Sequence, residues 1–114
     1  MKDILEIEHP DFSAKVLLQG AQLIHFQLKD RLPLLWSTDL SFYEDGKPFR
    51  GGIPICWPRF GKEKAPSHGF ARICKWELLQ RVDTPEEVIL EFGLTSDMVC
   101  VPSWTYPFEL KLKM

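Results

Sequence analysis

The sequence predicts an all-β protein, an antiparallel β-sandwich. Three observations carry that prediction. Apolar and polar residues alternate with a period of two in five separate runs. No window shows the i, i+3, i+4, i+7 spacing of a long amphipathic helix. Clusters of turn-forming residues separate the runs: His9-Pro10-Asp11, Asp45-Gly46-Lys47-Pro48 and Asp83-Thr84-Pro85.

In chain order, Phe12, Ala14, Val16 and Leu18 share one face of a first run, with Ser13 and Lys15 opposite. Ile24, Phe26 and Leu28 alternate with His25 and Gln27. Trp76, Leu78 and Val82 line one side of a third run, which Leu79 interrupts. Val88, Leu90, Phe92 and Leu94 alternate with Glu87, Ile89, Glu91 and Gly93. Phe108, Leu110, Leu112 and Met114 alternate with Glu109, Lys111 and Lys113. Such alternation fits antiparallel strands with one buried face. The last run reaches the final residue with nothing to turn or cap it. Either the domain ends on a strand or the chain stops partway through a larger sheet system. Residues 1–114 are read as one domain, with no linker, repeat or low-complexity tract.

Composition narrows the function classes. The chain has 114 residues, 45% hydrophobic and 26% charged, the balance of an ordinary globular protein. Fourteen basic against sixteen acidic residues give a net charge of −2, which argues against a nucleic-acid partner held by bulk charge. No apolar run is long enough for a helix to span a bilayer, so no membrane partner is expected. The first eight residues carry acids where a signal peptide has an apolar stretch. Cys56, Cys74 and Cys100 are odd in number and widely spaced, so neither a disulfide framework nor a zinc site is indicated. A reducing cytoplasm is the simplest compartment.

Residues 43–72 break the alternation. They hold five of the seven glycines and four of the nine prolines, yet are too apolar for a linker. Ordered, glycine-rich irregular segments of this length are often functional. Arg50, Arg59 and Arg72 lie here beside His68. Guanidinium groups suit phosphate or carboxylate through paired, charge-assisted hydrogen bonds, so the segment is a candidate pocket for a small anionic ligand. Blander readings stand beside this one. Arg50 and Arg72 could be solvated, or could pair with Glu44, Asp45 or Glu77. His68 reads as a turn residue, Trp57 and Phe60 as core packing, and Cys56 as a buried inert thiol. Gly51-Gly52 lacks the strand–helix context of a dinucleotide fingerprint. The spacing of His25, His68 and Cys74 does not suggest a metal site.

The block from Lys47 to Gly61, KPFRGGIPICWPRFG, with Pro66-Ser67-His68-Gly69-Phe70-Ala71-Arg72 and then Trp76, resembles the D-hexose-6-phosphate mutarotases, the glucose-6-phosphate 1-epimerases of the aldose 1-epimerase superfamily. Gly20-Ala21-Gln22-Leu23, Leu34-Leu35-Trp36-Ser37 and the late Trp104-to-Leu110 segment are similar to that family as well. The resemblance covers essentially the whole chain. It implies the N-terminal part of a galactose-mutarotase-like supersandwich and interconversion of the α and β anomers of a hexose 6-phosphate, with no cofactor and no metal. It assigns Arg50 and Arg72 to holding the substrate and its phosphate, and His68 to lining the sugar site. Ser67 stands at a position that contributes to the substrate pocket in some members, often as Gln, and the resemblance places it among the substrate-binding residues. Arg59 stands where the family usually has an apolar or aromatic residue. Ring opening needs a general acid and a general base. The family's histidine acid and glutamate base fall beyond Met114, and none of Glu86, Glu87, Glu91 or Glu109 matches the base. The resemblance therefore implies an N-terminal portion that grips phosphate and lacks the proton-transfer pair. The alternatives are a non-catalytic sugar-phosphate-binding module, or an inactive truncated product whose exposed sheet edge favours self-association.

Overall fold

The computed structural model describes residues 3–63, 65–99 and 106–114. Six strands form two three-stranded antiparallel sheets. The first holds β1 (Ile4–His9), β2 (Phe12–Leu17) and β3 (Gln22–Leu28), in the order β1-β2-β3. The second holds β4 (Glu77–Asp83), β5 (Val88–Thr95) and β6 (Glu109–Lys113), in the order β4-β5-β6. Five strands coincide with the five alternating runs. β1 is additional: Ile4, Leu5 and Ile7 pair with Leu17, Val16 and Ala14, and His9 opposite Phe12 closes a tight hairpin through Pro10-Asp11. Cys100 and the Trp104-Thr105 part of the late similarity lie outside the described residues.

One apolar core joins the sheets. Ile7, Ala14 and Val16 from the first meet Leu90, Phe92 and Leu94 from the second, with Phe70, Ala71, Cys74 and Trp76 beside them. Burying a side chain such as Phe92 or Leu94 contributes about 1.5–3 kcal/mol. This is the sandwich that the alternation predicts. Polar ties run between the sheets at one edge, where His9 Nε2 lies 3.0 Å from Thr84 O and Arg81 donates to Glu6 O at 3.3 Å.

Two bulges correct the expected faces. Lys15 pairs with His25 but Val16 pairs with Leu23, so Ile24 is an extra residue on β3. Its side chain leaves the face of Phe26 and packs with Leu17 and Phe49 in a second, smaller cluster. On β4, Leu78 pairs with Phe92 and Gln80 with Glu91, leaving Leu79 as the extra residue. Val82 then sits opposite Ile89 rather than on the face of Leu78. A single inserted residue flips every following side chain.

The small cluster positions the functional segment. Between β3 and β4 the chain runs irregularly over the sandwich, secured by isolated bridges of Ile53 to Leu23, Gly51 to Ser37 and Gly69 to Trp57. Phe49 inserts beside Ile24 and Leu17, which anchors the residue preceding Arg50 in apolar contacts.

Candidate functional site

Arg50 is presented by a loop that is fixed from below. Gln22 is 1% exposed, and its Nε2 donates to Phe49 O at 3.0 Å and Gly51 O at 2.6 Å. One buried amide thus straddles Arg50. The next two residues must be glycine. Gly51 and Gly52 have φ of 130° and 62°, and a Cβ on Gly52 would lie 2.0 Å from Leu23 O. The close approach lets the Gly52 N–H reach Trp36 O at 2.7 Å and the Ile53 N–H reach Leu23 O at 2.9 Å. Arg50 itself is exposed.

Arg72 arrives from the other side. Gly69 has φ of 76°, and a Cβ there would meet Trp57 O at 2.2 Å. The Phe70 and Ala71 N–H groups donate to that same oxygen at 3.0 and 3.1 Å. A short 3-10 turn over Ala71–Ile73 then places Arg72, and Gly20 passes so close that its Cβ would lie 2.9 Å from Arg72 O. Arg72 is 9% exposed. Its Nη2 donates to Ser67 O at 2.9 Å, while its Nε is buried without a hydrogen-bond partner. Burial depresses the guanidinium pKa, and the positive charge of Arg50 depresses it further.

Arg50 and Arg72 line one open cleft of about 520 Å³ with Trp36, Phe49, Gly51, Gly52 and Pro54. The carboxylates named as partners are engaged elsewhere or exposed: Glu44 binds Lys47 at 2.8 Å, Asp45 accepts from the Tyr43 hydroxyl at 2.7 Å, and Glu77 is exposed. Among the described residues neither arginine has a carboxylate partner. Two like charges at one cleft, one of them buried with an unsatisfied nitrogen, destabilise the free protein. An arrangement of this kind is suited to an anion that neutralises both.

The other sequence-predicted residues serve this geometry without lining the cleft. Ser67 contributes its carbonyl, which holds Arg72. His68 occupies a left-handed turn with φ of 60°. Its N–H donates to Gly61 O at 2.7 Å, and its Nδ1 accepts from the Gly61 N–H at 3.0 Å. Its ring packs on Phe60 with centroids 4.4 Å apart. Phe60 is 79% exposed, which corrects its reading as core, whereas Trp57 packs edge-to-face against Phe70. Arg59 donates to Gly61 O and Pro66 O at 3.3 and 2.9 Å, bracing the loop that carries His68. Cys56 is half-buried and Cys74 fully buried, both as free thiols. Among the described residues no group of three or more His, Cys, Asp or Glu side chains is placed to hold a metal ion.

Two further residues shape the cleft, and the sequence analysis assigns neither a role. Gln22 has a detectable signal: it is a polar residue two positions before Ile24, at a parity expected to be apolar. Trp36 follows two leucines in a stretch without periodicity, and only the structure brings it to the cleft.

Comparison with known proteins agrees with this architecture. The sequence profile of the aldose 1-epimerase family matches residues 3–114. An Escherichia coli (strain K12) protein provisionally named glucose-6-phosphate 1-epimerase is 33% identical over 111 residues, covering 95% of this chain and 38% of that protein. Its namesake in Salmonella typhimurium is 35% identical over the same shares. The crystal structure of a provisionally assigned mutarotase from Salmonella typhimurium matches with a TM-score of 0.87 at 33% identity, covering 98% of this chain and 39% of that one. The chain thus spans about 38% of the length of the curated relatives it matches.

Proposed function

Since the chain belongs to the aldose 1-epimerase family, we propose that it serves the interconversion of the α and β anomers of a hexose 6-phosphate, with glucose 6-phosphate as substrate. One observation carries this reading: Arg50 and Arg72 converge on one cleft without a carboxylate to neutralise them. A phosphate monoester offers the charge and acceptor oxygens that two guanidinium groups match. Held by its phosphate, the sugar loses translational and rotational freedom before any bond changes, and that anchoring energy orients the anomeric carbon. The names carried by the relatives favour this sugar phosphate. A cytoplasmic location, where hexose phosphates occur, fits the same reading.

Mutarotation proceeds through the open aldehyde. A base removes the anomeric hydroxyl proton as an acid protonates the ring oxygen, and the aldehyde rotates and recloses from its other face. The cleft lining offers neither group, because it contains no carboxylate and no imidazole. In our reading residues 1–114 supply the phosphate grip and the proton-transfer pair lies outside them. The same lining favours a second reading, a binding module without turnover.

Two measurements test the proposal. Calorimetric titration of the chain with glucose 6-phosphate should give saturable binding that Arg50→Ala and Arg72→Ala abolish; absence of binding to the unmodified chain refutes it. Polarimetry on freshly dissolved glucose 6-phosphate should show only the spontaneous rate with residues 1–114 and acceleration with a C-terminally extended chain. Acceleration by residues 1–114 alone would overturn the assignment of proton transfer to groups outside them. An extended chain that binds without accelerating would favour the binding module.

A further inference from the structure

The cleft also holds an aromatic side chain for which phosphate binding has no use. Trp36 lines it beside Arg50, Pro54 and Arg72, yet remains 72% exposed. Another indole is buried: Trp76 is 2% exposed, with its Nε1 donating to Ala71 O at 2.9 Å. A large apolar ring left in water at the mouth of a charged cleft forgoes substantial burial energy. Apolar walls with a few fixed polar groups are also the usual construction of small-molecule sites.

The position of this ring is tied to that of the arginine. Trp36 O accepts from the Gly52 N–H at 2.7 Å, Ser37 bridges to Gly51, and the Thr38 N–H donates to Arg50 O at 3.0 Å. The segments carrying Trp36 and Arg50 therefore run side by side as a short ladder. The backbone of Trp36 is thus fixed to that of Arg50 by the two hydrogen bonds of this bridge rather than carried on a free loop.

We propose that Trp36 is a specificity-determining residue, whose indole face receives the C–H face of the hexose ring while Arg50 and Arg72 hold the phosphate. The inference rests on the anion-site reading of this cleft and adds what that reading lacks, a means of telling a sugar phosphate from phosphate alone. A pyranose has an apolar side formed by its axial hydrogens, and an indole covers it without demanding hydrogen bonds. Inorganic phosphate has no such side and gains nothing from the ring.

The test is calorimetric titration of the 114-residue chain, Trp36→Ala and Trp36→Phe with glucose 6-phosphate and with inorganic phosphate. The unmodified chain should prefer the sugar phosphate by about tenfold. Trp36→Ala should weaken glucose 6-phosphate by roughly five- to tenfold and inorganic phosphate by less than about twofold, with Trp36→Phe retaining most of the preference. The side chain is exposed and outside the apolar core, so the variants keep the fold, which circular dichroism checks. Equal affinity of the unmodified chain for both ligands, or an undiminished preference in Trp36→Ala, overturns the inference and leaves the anion site standing. Failure of the unmodified chain to bind either ligand refutes the anion-site reading and this inference with it.

Discussion

Replacing Arg72 by methionine should separate the stability of the fold from the affinity of the cleft. The side chain is 9% exposed, makes one hydrogen bond to Ser67 O and leaves its Nε without a partner. Losing the charged hydrogen bond costs about 1.5–3 kcal/mol, and removing the unsatisfied buried nitrogen returns about 1–3 kcal/mol. Methionine fills much of the same volume with apolar atoms, and replacing buried charge in this way is often neutral or stabilising. Half-buried Ser67 leaves its carbonyl within reach of water. The net change in unfolding free energy should therefore stay within about 1 kcal/mol of zero. Phosphate affinity should fall much further, since one charge-assisted contact is worth about 1.5–3 kcal/mol, or roughly 10- to 150-fold. Urea denaturation and phosphate titration of the same variant provide the two numbers. Destabilisation by more than about 3 kcal/mol with unchanged affinity would refute the reasoning and make Arg72 a structural residue.

Gln22→Leu should show a different pattern, losing about 2–4 kcal/mol because Phe49 O and Gly51 O are left unpaired and weakening phosphate binding as the Arg50 loop loosens; urea midpoints and titration check both. Gly69→Ala should cost about 2–4 kcal/mol through its positive φ and the approach of Trp57 O, measurable by thermal denaturation. Hydrogen bonds from Arg81 hold the Asp83 carboxyl below its ordinary range. Its contribution to stability is therefore full above about pH 4 and fades as pH falls through the lower folded value, so Asp83→Asn should flatten the acid limb of a stability–pH curve. Strand β6 ends its sheet, with no strand beyond it among the described residues, and a second copy pairing there predicts self-association; sedimentation showing monomer at every concentration would count against it.

The strands were legible wherever burial on one face imposed alternation, as in Val88 to Leu94. The faces differ from the alternation at Ile24 on β3 and after Leu78 on β4, because a bulge leaves the composition of a run unchanged while reversing the side chains beyond it. β1 carries little alternation to mark it, because Ile4 and Leu5 are adjacent apolar residues and only Ile7 is fully buried. The two arginines stood out by residue type within a glycine-rich segment. Their convergence depends on contacts far apart in sequence, Gln22 with Gly51 and Gly20 with Arg72, which no local pattern encodes. Ser67 and His68 adjoin Arg72 in the chain; the Ser67 carbonyl accepts from the Arg72 guanidinium, whereas the left-handed turn at His68 sets its ring against the Gly61 N–H.

The most direct test of the phosphate grip is to follow the guanidinium resonances of Arg50 and Arg72 in isotope-labelled protein during titration with glucose 6-phosphate. The account predicts that both shift together, saturate with one affinity, and return to their starting positions when the glucose 6-phosphate is dialysed away. Resonances that stay in place at saturating ligand, or that move for one arginine only, would contradict a cleft in which the two hold a single phosphate.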